Sequence, residues 1–177
     1  VHLQKNGRCI SAVNDGAEMN QAAIVQSALD YRLSNFVRES NLIEGITRDP
    51  TSDEIQAHER FLNLFQVHAT TLGDLQAVIA PGKPLREKPG MNVRVGNHIA
   101  PDGGPNILRR LQALLRKANS STDPWETHIA YETLHPYMDG NGRTGRALWA
   151  WQMHAMGRDP FALPFLHRFY YQTLDHV

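Results

Sequence analysis

The sequence predicts a mainly helical domain of the all-α class with one short β-ribbon. Apolar residues recur at three- and four-residue steps in several segments, which is the pattern of a helix with one buried face. Helix-start signals precede several of these segments, and the stretch from Gly82 to Gly104 differs from them by its prolines and glycines. A chain of 177 residues lies within the range of one domain and can bury a sizeable core.

The N-terminal part is expected to be a loop followed by a long helix. Residues 1–17 carry Gly7, Asn14 and Gly16 and are predicted as loop, with a short strand around Cys9–Val13. Helical spacing then runs from Glu18 to Glu39. Its apolar residues are Ile24, Val25, Ala28, Leu29, Leu33 and Phe36.

Four further helices are predicted, three of them from start signals. Thr51-x-x-Glu54 is a capping-box pattern, Pro105 suits a first helical position, and Asp123 is a good N-cap for a helix that ends at His135 before Pro136. A fourth helix is expected to end at Gly157. The predicted core residues are Ile55, Phe61, Leu62, Leu64 and Phe65; Ile107, Leu108, Leu111, Leu114 and Leu115; Trp125, Ile129, Ala130 and Leu134; and Ala147, Leu148, Trp151 and Ala155.

Between Gly82 and Gly104, the segment Val93-Arg94-Val95-Gly96 predicts a short β-ribbon between helices. An exposed strand edge could pair with an extended segment of another protein by strand addition. An ordinary hairpin explains the same pattern, and His98 is expected to be a polar residue of this ribbon.

Composition restricts the class of partner. Lys+Arg and Asp+Glu both total 18, so the chain has no basic field that would favour nucleic acid or an acidic membrane. The single cysteine, Cys9, excludes an internal disulfide and fits a reducing, cytoplasmic compartment. No signal peptide or membrane-spanning apolar run is visible, and the opening Val1 is compatible with a fragment of a longer protein.

The most informative segment is His-Pro-Tyr-Met-Asp-Gly-Asn-Gly-Arg-Thr-Gly-Arg, residues 135–146. A glycine-rich turn before a helix exposes backbone N–H groups that bind anions, and two arginines three residues apart could grip phosphate. A histidine is suited to general-base work near neutral pH, and an aspartate is a ligand type that Mg²⁺ accepts. A plain hairpin turn is the alternative for residues 139–142 alone. An EF-hand is excluded, because its sixth and twelfth positions hold Thr144 and Ala150.

This segment resembles the signature of the Fic (Fic/Doc) family, H-P-F-x-D/E-G-N-G-R-x-x-R, with Tyr137 in place of the usual phenylalanine. The resemblance implies an all-helical enzyme that transfers part of a nucleotide, most often AMP from ATP, to a protein hydroxyl. By position, His135 is the expected base and Asp139 the expected ligand of Mg²⁺ or Mn²⁺. The anion hole and the polyphosphate-binding residues are expected at Gly140, Asn141, Gly142, Arg143 and Arg146.

The resemblance extends beyond the signature. Leu85-Arg86 and Val93-x-Val95-Gly96-x-His98-x-x-Pro101 look like the flap on which Fic proteins dock a target. The segments 163–165 and 168–171 resemble the closing helix of the family. In all, the resemblance runs from Ser40 to Leu174. It divides the chain into an N-terminal segment, residues 1–50, and a catalytic core, residues 51–177.

Ser40-Asn41-Leu42-Ile43-Glu44-Gly45 fits the S/T-x-x-x-E-G/N pattern of an autoinhibitory helix in the same family. A helix end stopped by Gly45 is the plainer interpretation, and both can hold together. The resemblance implies that Glu44 pairs with Arg146 and occupies the place of the ATP γ-phosphate. A carboxylate on a guanidinium would neutralise the cation and fill the site.

The predicted activity is therefore protein adenylylation restrained by Glu44, with ATP as co-substrate. Two alternatives stay open: removal of AMP from a modified target, and a nucleotide-binding or interaction module without catalysis. Gly142 argues against the phosphorylating Doc branch, whereas UMP or phosphocholine transfer is not distinguished. The target protein, self-modification and homo-oligomerisation are likewise left open by the sequence.

Overall fold

The computed structural model describes residues 9–120 and 122–162, which form six helices and a two-stranded antiparallel ribbon. The predicted helical fold with a short hairpin is confirmed. The helices are α1 Cys9–Ile43, α2 Ser52–Leu62, α3 Ala69–Ile79, α4 Pro105–Ala118, α5 Pro124–Leu134 and α6 Asn141–Ala155, and the strands are β1 Arg94–Val95 and β2 His98–Ile99.

The first helix is longer than the sequence pattern predicts. The expected loop and strand around Cys9–Val13 are wrong, because α1 already begins at Cys9. Asn14 and Gly16 lower helix propensity by no more than about 1 kcal/mol each, and no proline interrupts the chain before Pro50. The helix ends as predicted, at a left-handed Gly45. There, the Gly45 and Ile46 N–H groups bond back to carbonyls of the last turn, as in a Schellman motif.

The capping box that opens α2 is confirmed. Thr51 Oγ1 accepts the N–H of Glu54 at 3.2 Å, and Glu54 accepts the N–H of Thr51 at 2.8 Å. Arg48 adds two hydrogen bonds of 2.8 Å to the same carboxylate, and this pairing lowers the pKa of Glu54 to about 2. Helix α2 ends at Leu62, so the predicted core residue Phe65 lies beyond it and is 94% exposed.

The core lies where α2, α3, α4, α5 and α6 meet, and α5 and α6 form its central pair. Helix α3 has no counterpart in the sequence analysis, yet it contributes Leu72, Leu75 and Ile79 to this core. Trp151 is buried as predicted, and its indole N–H donates to the Leu64 carbonyl at 2.8 Å.

The buried face of α5 differs from the prediction. Thr127, His128 and Tyr131 are buried together with Leu134, whereas Ala130 is exposed. The apolar pattern misses this face because two of its members are polar and the third, a tyrosine, is amphipathic. Burial lowers the pKa of His128 to about 3, so this histidine is a neutral core residue. The predicted core residue Ala155 at the end of α6 is also exposed.

The closing-helix segments predicted at 163–165 and 168–171 lie outside the described residues. Within residues 9–120 and 122–162, none of the helices combines the length and apolar character that crossing a membrane requires.

Candidate active site

His135 lies at the C-terminal end of α5, as predicted from Pro136. It caps the helix in the left-handed conformation, φ 47°, and its backbone N–H bonds to the Tyr131 carbonyl at 2.9 Å. The side chain is 13% exposed. Burial is the main cause that lowers the pKa of His135, and the positive charge of Arg86 acts in the same direction. A neutral imidazole at the end of a packed helix is suited to accept a proton.

The loop between α5 and α6 is braced by amide side chains. Asn141 accepts the N–H of Tyr137 and donates to the carbonyl of the same residue, both at 2.8 Å. From α3, Gln76 donates to the Asp139 carbonyl at 2.7 Å and accepts the Thr144 hydroxyl at 2.5 Å. The Asn141 side chain therefore holds the loop. Only the backbone of Asn141 is left for the anion hole that was predicted there.

The first turn of α6 is the expected anion site. Gly140 precedes it with φ 77°, and a Cβ at that position would lie 2.7 Å from the Ala80 Cβ, so the turn requires glycine on both grounds. A Cβ added at Gly142 would overlap Glu44 Oε1. The Glu44 carboxylate thus lies against this turn, where unpaired N–H groups and the helix dipole favour a negative charge.

Arg146 connects the signature to the end of α1. Its side chain is fully buried, and it donates from Nε to Ser40 Oγ at 2.9 Å and from Nη2 to the Ser40 carbonyl at 2.8 Å. The same Nη2 lies 2.7 Å from Glu44 Oε1. The structure therefore brings together the two motifs that the sequence separates by about a hundred residues.

Arg143 is placed differently from Arg146. It is 8% exposed and donates Nη1 to the Ile79 carbonyl at the end of α3, at 2.6 Å. Burial lowers the pKa of Arg143, and the carboxylates of Glu44 and Asp139 oppose that effect. The guanidinium therefore lies within electrostatic reach of both acids, with one of its N–H groups committed to α3.

Asp139 is exposed, and its Oδ1 accepts the N–H of Gly140 at 2.7 Å. No group of three or more His, Cys, Asp or Glu side chains suited to hold a metal occurs among the described residues. A single exposed carboxylate beside an anion site nevertheless fits Mg²⁺, which usually keeps several waters and binds through one or two carboxylates plus substrate phosphates.

The ribbon, here called the flap (Val93–Ile99), is attached to the signature loop by Arg86. This fully buried arginine donates to the carbonyls of Leu134, His135, Met91 and Pro101 at 2.7–3.1 Å. Leu85 forms an isolated antiparallel bridge with Tyr137. Because Arg86 binds both the end of α5 and the chain on either side of the flap, it holds the flap beside His135.

The flap itself matches the prediction in position. Arg94 pairs with Ile99 and Val95 with His98, Gly96 turns with φ 57°, and Val93 lies just before β1. Both strands are exposed, and Ile99 is 71% exposed. The His98 ring contacts the Thr133 carbonyl at 3.0 Å, so it ties the flap to α5, as suits a polar ribbon residue.

Three site residues were assigned no role from the sequence. Gln76 lies in the unpredicted α3 and gives no sequence signal, and Arg86 was noted only as part of the flap pattern. Glu132 lies three residues before His135, a spacing that places two side chains on one helical face, and Glu132 Oε2 is 4.0 Å from His135 Nδ1. That spacing is the signal that could have identified it.

The model of the Fic/DOC family matches residues 61–153, more than half of the chain, including the whole signature. Proteins named protein adenylyltransferase Fic from Drosophila melanogaster, Drosophila simulans and Drosophila sechellia are each 29% identical over 109 residues. These matches cover 58% of this chain and 21% of each relative, so the chain spans about a fifth of the length of the curated relatives it matches. On the family match and the intact signature, the chain belongs to the Fic/DOC family.

Proposed function

We propose that this chain is a protein adenylyltransferase that transfers AMP from ATP to a hydroxyl side chain of a target protein and is restrained by Glu44. The observation that carries the proposal is the position of His135 beside a helix N-terminus whose anion site is filled by the chain's own carboxylate. The printed name of the Drosophila relatives is in line with this reaction. The intact signature disfavours a module without catalysis.

The base step falls to His135. Its Nδ1 faces Glu132, so Nε2 is the ring atom available to a hydroxyl brought along the flap. The target hydroxyl gives its proton to His135, and its oxygen bonds to the α-phosphorus. The bond from that phosphorus to pyrophosphate then breaks.

The phosphate chain would take the place that Glu44 occupies. Backbone N–H groups at the start of α6 and the guanidinium of Arg146 would bind its oxygens, and the charge of Arg143 interacts with those of Glu44 and Asp139. Gly142 has no side chain that would keep an anionic group away from the first turn of α6. A carboxylate already on Arg146 would leave a bound polyphosphate displaced, and such misplacement can reduce a rate by about 100-fold.

Asp139 is the residue that would hold a divalent cation, Mg²⁺ or Mn²⁺. Bound there, the cation would screen the negative charge of the phosphate oxygens. The protein's own contribution is a carboxylate whose orientation is set by the Gly140 N–H.

The flap would hold the target. Its exposed two-residue strands can extend their pairing to an extended segment of another protein, and Arg86 keeps that edge in a fixed position relative to His135. Main-chain pairing of this kind tolerates varied target sequences.

A label-transfer assay tests the proposal. ATP labelled at the α-phosphate is compared with ATP labelled at the γ-phosphate, using wild type, Glu44→Gly and the double variant Glu44→Gly/His135→Ala. We expect α-label on protein with Glu44→Gly well above wild type, no γ-label, and roughly a 100- to 10,000-fold loss in the double variant. His154→Ala in the Glu44→Gly background is the matched control, because His154 is an exposed histidine at the other end of α6.

Several outcomes would contradict the proposal. Transfer of γ-label would indicate phosphorylation, and transfer that survives loss of His135 would remove it as the base. Activity that persists in EDTA would remove Asp139 as a metal ligand. If Glu44→Gly transfers no more than wild type, residues Ser40–Gly45 are an ordinary helix end.

A further inference from the structure

We propose that Glu132 is a positioning residue for His135, whose carboxylate stabilises the imidazolium that forms when His135 takes the proton of the target hydroxyl. The inference rests on the proposed function. It assigns a role to a buried acid outside the family signature, on the last turn of α5.

The geometry places the carboxyl group behind the base. Glu132 Oε2 is 4.0 Å from His135 Nδ1, and the two side chains are 17% and 13% exposed. The backbone oxygen of Glu132 also interacts with the ring of His135 and favours its protonated form. One residue thus presents both a carbonyl and a carboxyl group to the ring of His135.

The packing around Glu132 leaves room for this acid and for little else. Its Oε1 is buried and has no hydrogen-bond partner among the described residues. A Cβ added at Gly145 on α6 would overlap Oε1 and would lie 2.8 Å from Tyr131 Cδ1. Gly145, at a variable position of the signature, therefore permits the close approach of α6 that encloses the carboxyl group.

A packing role does not require an acid at this position. Burial of a carboxyl group without full hydrogen bonding costs free energy, and a glutamine or an apolar side chain would avoid the cost of ionisation. Titratable groups that are buried and lie beside a charge partner in a cleft are characteristic of functional sites. His135 is such a partner for Glu132.

The other charged groups near this pair lie on α6, at the end of α1 and next to the flap. Arg146 on α6 favours the ionised form of Glu132, whereas Glu44 on α1 disfavours it. Burial is the largest effect, and it raises the pKa of Glu132 to about 7. Around His135, Arg86 disfavours protonation and Glu44 favours it, and His98 is a further titratable group near the ring. An ionised Glu132 would therefore oppose the charge of Arg86 when the imidazolium forms, and the proton would afterwards leave His135 to solvent.

Kinetics in the Glu44→Gly background test the role. With Glu132→Gln added, we expect kcat to fall about 10- to 100-fold, less than the roughly 10⁴-fold found when a directly hydrogen-bonded triad carboxylate is replaced by its amide. The KM for ATP should not change. The acid limb of the pH–kcat profile should move to lower pH, because the activity then no longer requires an ionised Glu132, whose pKa is about 7. Glu126→Gln, an exposed acid on the same helix, is the control and should leave both unchanged.

A second measurement does not depend on AMP transfer. An NMR titration of the His135 ring should give a lower pKa in Glu44→Gly/Glu132→Gln than in Glu44→Gly, and Glu132→Asp, which keeps the charge, should restore part of the difference. An unchanged His135 pKa would overturn the inference, even if kcat falls, because the loss would then be structural. If Glu44→Gly itself transfers no AMP, the proposed function fails, while the titration still decides the role of Glu132.

Discussion

Arg146 shows at the scale of one residue how the end of α1 is held against the signature. A fully buried guanidinium needs compensating acceptors, and the last turn of α1 with the residue after it supplies three: the Ser40 hydroxyl, the Ser40 carbonyl and the Glu44 carboxylate. Two of these three acceptors belong to Ser40, so both the serine and the glutamate of the S-x-x-x-E pattern bind the guanidinium. The serine holds the guanidinium in place, and the glutamate neutralises it.

Ser40→Ala tests that division of roles. It removes the acceptor of the Arg146 Nε bond but keeps the carbonyl bond, so we expect the free energy of unfolding to fall by about 1–3 kcal/mol. Chemical denaturation measures this value, and Ser27→Ala, at an exposed position of the same helix, is the control. Equal stability of Ser40→Ala and wild type would mean that the hydroxyl contributes nothing to holding Arg146.

At the scale of elements, the Arg86 side chain joins the segments around the flap to the signature loop, beside the single bridge of Leu85 to Tyr137. The four carbonyls that Arg86 binds belong to the end of α5 and to the chain just before and just after the flap. Two of them, those of Leu134 and His135, are at a helix C-terminus, where carbonyl groups have no intrahelical donor and the dipole favours a cation. The planar guanidinium can serve these acceptors at once, which an ammonium group cannot.

Arg86→Lys is therefore not a conservative change. We expect a loss of about 2–4 kcal/mol in the free energy of unfolding and faster proteolytic cleavage within the flap, because several buried carbonyls lose their donor. Arg94→Lys is the matched control, since Arg94 lies on the flap itself and is exposed. A flap in Arg86→Lys that resists proteolysis as well as wild type would show that the ribbon is held by other contacts.

The packing of α5 against α6 makes stability depend on pH through Glu132. The pKa of Glu132 is about 7 in the folded protein and 4.5 in an unfolded chain, so the folded state binds the proton more tightly. This acid therefore lowers the free energy of unfolding as the pH rises from 4.5 through 7. Glu132→Gln should remove that loss. Relative to wild type, it should gain about 2–3 kcal/mol in the free energy of unfolding between pH 4.5 and pH 8. Urea denaturation at both pH values measures the gain, and Glu126→Gln should show none.

Sequence patterns predicted the elements that have local start signals and missed those fixed by distant contacts. Thr51 and Asp123 cap their helices as expected, whereas α3 begins at Ala69, after an N-cap His68 whose N–H donates to the Thr71 hydroxyl. The inward position of Gln76 could not be read from hydrophobic periodicity, because this residue is buried for its hydrogen bonds to the signature loop. The buried face of α5 was misplaced because Thr127 and His128 are polar and Tyr131 is amphipathic, so an apolar pattern does not mark them.

For the candidate site, the signature located His135, the turn and the arginines, because their order along the chain is also their order around the loop. The pairing of Glu44 with Arg146 came from the family resemblance, and no spacing rule joins residues so far apart. The commitment of Arg143 to the Ile79 carbonyl depends on where α3 ends, which the sequence did not indicate.

At the scale of the whole molecule, the proposed restraint would link nucleotide binding to stability. In the wild type, the Glu44 carboxylate lies against the first turn of α6 and compensates Arg146, so ATP bound there would have to displace a favourable contact. In Glu44→Gly, Arg146 loses its anionic partner, and the variant should melt at a lower temperature without nucleotide. Triphosphate can then supply the missing negative charge, so nucleotide should stabilise the variant more than the wild type.

The expected size follows from linkage. At a ligand concentration about 100 times Kd, binding adds about 2.7 kcal/mol, which corresponds to a rise in Tm of roughly 5–10 °C for a chain of this size. We expect Glu44→Gly with ATP and Mg²⁺ to approach this value, the wild type to rise by less, and EDTA to reduce both shifts. Glu44→Gly/Arg146→Ala should lose the additional gain, because the cation that receives the phosphate is gone. Differential scanning fluorimetry measures all four proteins, with Glu44→Gln as the variant that keeps the size of the side chain and removes its charge. Equal shifts in wild type and Glu44→Gly would mean that the carboxylate and the nucleotide do not compete for Arg146, and the restraint would then have to act on the position of the target instead.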